Sequence, residues 1–131
     1  MKKMKKSLLV ALSLTTSSSL LAATYKCEPE YQSIWGERVQ KSDFIKNFQP
    51  STTIYDDKKP KIERCSFSPS QNRMSCDVYE IDKVENDSNV GIKKYYVFRS
   101  QYDVQVFRDM GYIDNNGRGG FQIGKCKLIS P

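Results

Sequence analysis

Hydrophobic positions in this chain alternate far more often than they follow a helical period. The run Arg73–Val84, the run Lys61–Ser68 and the β-branched stretch Ser51–Tyr55 all read as strands. Tyr25–Glu28 is a shorter strand candidate, and Ile92–Ser100 is the clearest one. Its consecutive Tyr95, Tyr96, Val97 and Phe98 suggest a strand covered on both faces. Residues 100–110 fit two patterns. Tyr102, Val104 and Val106 alternate with polar residues, whereas Ser100 to Asp103 is a capping-box pattern with Gly111 as a helix stop. The two β-branched valines favour strand. Asp43–Phe48 is one helical turn ended by Pro50, and polar loops are expected at Asp56–Lys59 and Glu85–Asn89. Asn116-Gly117 is a hairpin signal, followed by a last apolar run from Phe121 to Ile129.

Short strands separated by polar turns predict a mostly β fold. The expectation is a small antiparallel sheet or barrel-like domain, with one or two short helices and two disulfides as staples.

Residues 1–23 do not fit that pattern. Lys2, Lys3, Lys5 and Lys6 precede an apolar stretch from Leu8, and Leu20-Leu21-Ala22-Ala23 ends it with small residues. This is the plan of a bacterial-type secretory signal peptide, cut after Ala22 or Ala23. Five hydroxyl residues in a row, Thr15 to Ser19, interrupt it, and a membrane span needs about 20 mostly apolar residues. The expected organisation is a cleaved leader, 1–23, and one domain, 24–131, exported to the periplasm or beyond, with no membrane span after cleavage.

The leader also carries most of the charge. The chain has 21 basic and 15 acidic residues, net +6. Without the four leader lysines, 17 basic face 15 acidic residues and the net charge is +2. Lys58-Lys59-Pro60-Lys61 follows directly on Asp56-Asp57, so no concentrated basic face argues for nucleic acid.

An exported chain with Cys27, Cys65, Cys76 and Cys126 reads as a two-disulfide protein. With Ser70-Gln71 at the tip of a hairpin, Cys65 faces Cys76 and Phe67 faces Met74, close enough to bridge. Cys27 and Cys126 are then left to tie the two ends together. The other two connectivities stay open on sequence alone. No Cys-x-x-Cys is present, and the chain has no histidine. Ser-His-Asp and Cys-His catalysis and His-ligated metal are therefore excluded, and no cofactor is implied.

The stretch 114–120, Asp-Asn-Asn-Gly-Arg-Gly-Gly, is the most distinctive. It lacks the Gly-Lys-Ser/Thr ending of a phosphate loop, and Gln122 stands where a dinucleotide fingerprint needs glycine. As a calcium loop it fails at Arg118 and Lys125. A glycine-rich hairpin turn explains its backbone. Arg118, held out beside Asn115 and Asn116, is a candidate contact for an acidic group of a partner. Trp35, Tyr95 and Tyr96 are candidates for an exposed aromatic platform, against the ordinary reading of aromatics as core. Asp77, Glu80, Asp82 and Asp103 show no catalytic spacing, and Asn86-Asp87-Ser88 is a glycosylation sequon.

The layout resembles the small periplasmic inhibitors of c-type lysozymes. The likeness consists of an export signal, Tyr25-x-Cys27 at the start of the domain, four cysteines and one of them, Cys126, near the end. It covers layout alone and carries no functional position across.

The functional expectation is an exported, non-enzymatic module binding a protein or a small apolar ligand. A barrel-type carrier of an apolar molecule is the alternative. A lysozyme-inhibitor-like protein and a hydrolase working with two carboxylates are weaker ones.

Overall fold

The computed structural model describes residues 22–34, 37–40 and 43–130, with backbone alone at 37–40 and at 43. The expected signal peptide lies outside the described residues apart from Ala22 and Ala23, and so does Trp35.

Ten strands are present among the described residues: β1 Ala23–Ile34, β2 Glu37–Gln40, β3 Ser51–Asp56, β4 Lys61–Ser68, β5 Arg73–Glu80, β6 Lys83–Asp87, β7 Ile92–Val97, β8 Tyr102–Val106, β9 Gly111–Asn115 and β10 Gly120–Ser130. Helix α1, Asp43–Phe48, and a 3-10 turn, Phe98–Ser100, interrupt them. Nine strands form one antiparallel path, β5-β4-β3-β1-β10-β9-β8-β7-β6, and β2 pairs with β1 beside it. The two ends of the path, β5 and β6, are consecutive in the chain. Between them Ile81 N–H donates to Pro60 O and Asp82 N–H donates to Tyr96 O, at 3.0 and 2.8 Å. Residues 73–87 thus serve both margins, first paired with β4 and then with β7. The sheet curls back on itself, although β5 and β6 do not pair with each other and each keeps an exposed edge.

Side chains from strands distant in the path meet inside. Tyr95 of β7 donates to Asp56 of β3 at 2.8 Å, and Tyr79 of β5 packs on Tyr102 of β8 with ring centres 5.3 Å apart. The core is built from alternate residues, as a sheet with one inner face requires. Tyr25 and Cys27 come from β1, Ile54 from β3, and Ile62 from β4. Tyr95 and Val97 come from β7, Tyr102, Val104 and Val106 from β8, Tyr112 from β9, and Cys126 from β10.

Both disulfides join directly paired residues. Cys27 and Cys126 face each other across β1 and β10, and Cys65 and Cys76 across β4 and β5. The hairpin register places Phe67 opposite Met74, as the turn at 69–72 predicts. The first bridge lies in the core and the second on the outer face, where Cys76 is exposed.

Several element limits differ from the sequence expectation. Strand β1 runs well past Glu28, because its register shifts between Pro29 and Tyr31 and the proline is absorbed in that irregularity. Gly124 lies opposite, and a Cβ there would sit 2.1 Å from Glu28 O. The expected strand 73–84 is two strands bending at Ile81-Asp82. Glu85, Asn86 and Asp87, expected in a loop, pair with β7. Residues 102–106 are strand, and the helical alternative survives only as the 3-10 turn before it. Strand β7 is not covered on both faces: Tyr95 and Val97 are buried while Tyr96 turns outward and is half-buried.

Candidate functional site

The turn after β9 is fixed by its asparagines. Asn116 Oδ1 accepts from Arg118 N–H at 2.7 Å and Gly120 N–H at 3.1 Å. Asn115 Oδ1 accepts from Gly117 N–H at 3.0 Å, and its amide donates to Asp103 Oδ1 at 3.1 Å. Gly117 has φ +77°, and a Cβ there would lie 2.3 Å from Gln101 O, so the turn seats directly against residues 100–101. The exposed Arg118 side chain is carried on this rigid support.

Asn116 and Arg118 line a pocket of about 240 Å³ together with Arg64, Tyr79, Ser100 and Tyr102. Three separate parts of the fold contribute: β4 and β5, the 3-10 turn with the start of β8, and the turn after β9. Beneath it lies Asp114, whose side chain is fully buried. Asp114 Oδ2 accepts from Thr52 Oγ1 at 2.9 Å and from Tyr102 OH at 3.0 Å. Arg64 Nε stands 3.4 Å from the same oxygen, and its guanidinium carbon is 5.0 Å from the centre of the Tyr102 ring. Burial lowers the affinity of Arg64 for its proton, but Asp114, with smaller help from Tyr102 and Tyr79, outweighs this and raises its pKa. Burial raises the Asp114 carboxyl above its ordinary range, although Arg64, Thr52 and Tyr102 pull the other way. Asp114 Oδ1 and Tyr112 OH are buried without a hydrogen-bond partner among the described residues.

The sequence candidates are thus divided. Asn116 and Arg118 join in the pocket. Asn115 is next to it but bonds toward Asp103. Tyr95 is in the core with its hydroxyl on Asp56, so no platform joins it to Tyr96. Tyr96 is on the outer face, where its hydroxyl donates to Glu85 at 2.6 Å and its ring stacks on Phe98 at 5.9 Å. The bond to Glu85, with smaller effects of burial and charge, pushes the Tyr96 hydroxyl up to about 12. Trp35 lies outside the described residues.

Arg64, Tyr79, Tyr102 and Asp114 escaped the sequence reading as site residues. Their signal was parity. Ile62 and Arg64, Thr52 and Ile54, and Tyr112 and Asp114 are i, i+2 pairs that put a polar residue on an apolar, inward row. The ligand atoms of Glu63, Cys65 and Cys76 lie within 4.8 Å of one another, but both sulfurs belong to a disulfide and are not thiolate donors.

No family model, curated protein or solved structure matches the chain. The likeness of layout to the lysozyme inhibitors is therefore not joined by any match of sequence or structure. No helix among the described residues is long and apolar enough to cross a membrane. Two disulfides fit an oxidising compartment.

Proposed function

We propose that the protein is an exported, non-enzymatic binding module that docks an acidic group of a protein partner at the Arg118 turn. The observation that carries this reading is Arg118 itself. It is exposed, has no acidic side chain beside it among the described residues, and rides on a backbone fixed by Asn115, Asn116 and Gly117. A guanidinium held this way loses less freedom on pairing than one on a mobile loop. The leader-like residues 1–23 and the two disulfides support export. Against a carrier of apolar cargo stands the filling of the interior by Tyr95, Tyr112, Ile54, Ile62 and Val104, all fully buried.

The test is affinity capture from the native envelope fraction with tagged wild-type protein and the Arg118→Ala variant. The expected result is one stoichiometric protein partner that the variant loses at an unchanged melting temperature. Capture that is equal for both proteins would overturn the role of Arg118. A small apolar mass retained in native mass spectrometry, with no protein partner, would favour the carrier instead.

A further inference from the structure

The pocket behind Arg118 differs from an ordinary surface hollow in the hydrogen-bonding sense of its lining. Asn116 Oδ1 accepts from two backbone N–H groups, so the group it has left to offer is its NH2, a donor. Arg64 spends Nε on Asp114 and keeps its terminal N–H groups. Tyr79 adds a phenol hydroxyl that can donate. Arg118 adds a second guanidinium, and Ser100 a hydroxyl that can donate. Tyr79 and Tyr102 supply flat aromatic walls. Asp114, the acid paired with Arg64, is fully buried and does not line the pocket. It fixes Arg64 from below.

We infer that this pocket is a receptor for a single carboxylate, gripped between Arg64 and Arg118 and flanked by Asn116 and Tyr79. Two planar guanidinium forks match the planar, two-oxygen carboxylate better than a tetrahedral anion. About 240 Å³ accommodates the carboxylate with a few atoms of the body that bears it. The bearer is either a protein partner's side chain or a small free acid. The inference deepens the binding-module reading and rests on it only for the choice between these bearers.

Titrations of the isotope-labelled, disulfide-intact protein, followed by amide and arginine Nε–Hε signals, test the inference without any partner. The probes are succinate, the blocked peptide acetyl-Gly-Asp-Gly-amide and inorganic phosphate, at constant ionic strength kept with chloride. The expected result is saturable shifts of Arg64, Arg118 and Asn116 with a carboxylate probe. Arg118→Ala should weaken that binding about tenfold or more, the scale of one charge-assisted contact. Arg118→Lys should recover only part of it, with the rest of the spectrum unchanged. A stronger response to the peptide points to a protein bearer, and a stronger response to succinate to a free acid; both support the carboxylate. Tighter binding of phosphate than of either carboxylate, or shifts that persist in Arg118→Ala, would overturn the inference. So would a lack of saturation with every probe. If the probes bind but no partner is captured, the protein-docking reading fails and the pocket stands. If a partner is captured and no probe binds, the reverse holds.

Discussion

Arg64 and Asp114 stand 3.4 Å apart across the interior, one on β4 and the other on β9, with three strands, β3, β1 and β10, between them in the sheet path. Their contact exists because the sheet curls until its distant strands face each other. It joins the core to the candidate site, since the guanidinium that holds the buried carboxylate also lines the pocket. With Arg64 paired below, Arg118 is the lining charge that has no ion pair among the described residues.

That arrangement gives stability a pH dependence. Burial raises the Asp114 carboxyl, so the folded protein binds this proton more tightly than the unfolded chain does. Stability from this group is fully present below the unfolded value, about 3.9, and is lost as pH rises through the higher folded value. Asp114→Asn removes the dependence. The stability of the wild type relative to the variant should therefore fall as pH rises from about 4 toward neutrality. Urea unfolding at fixed ionic strength across that range checks it. A difference that instead grew with pH would mean that Arg64 outweighs burial.

The two hydroxyls on Asp114 Oδ2 are each expected to matter. Thr52→Val and Tyr102→Phe keep shape and remove one donor to a buried carboxylate, at a cost of about 1.5–3 kcal/mol each. Because they share an acceptor, the double variant should depart from the sum of the singles. Equilibrium unfolding measures all three. Losses under about 0.5 kcal/mol, the range of surface substitutions, would show that Asp114 gains nothing from them.

The disulfides separate by loop length. Cys27–Cys126 spans 99 residues and Cys65–Cys76 spans 11. In the chain-entropy model, closing the long loop contributes about 4.7 kcal/mol and the short one somewhat under 3 kcal/mol. Removal of the pair Cys27 and Cys126 by alanine should accordingly lower the melting temperature more than removal of Cys65 and Cys76. Partial reduction should open the exposed Cys65–Cys76 bridge before the buried one, as mass spectrometry after alkylation would show. Equal losses for the two pairs would count against the entropic account.

The fold was legible where the chain's local signals agree. The turn at 69–72 set the register that brings Cys65 to Cys76, and Val104 and Val106 made strand of 102–106. Closure was not legible, because nothing in Ile81-Asp82 announces that one continuous run of chain changes partner from β4 to β7. The site followed the same division. Asn116 and Arg118 are local to one turn and could be singled out by composition. Arg64, Tyr79 and Asp114 are 54, 39 and 4 positions from Arg118 along the sequence, and only the curl of the sheet brings them together. Asp114 was read with the polar turn that follows it, although its parity with Tyr112 places it inside.

The seat of the Arg118 turn can be tested separately from its charge. At Gly117 a methyl group would meet Gln101 O at 2.3 Å and Ser100 O at 2.8 Å, with φ at +77°. The left-handed conformation alone costs an L-residue roughly 1–2 kcal/mol, and the clash adds to it by driving the turn away from residues 100–101. Gly117→Ala should therefore lower the melting temperature and weaken succinate binding while Arg118 is still present. Arg118→Ala should weaken succinate binding about tenfold or more without a change in melting temperature. Calorimetry of both variants, with and without succinate, distinguishes position from charge. If Gly117→Ala is destabilised yet binds succinate as the wild type does, the contact with residues 100–101 holds the fold together but does not place the guanidinium.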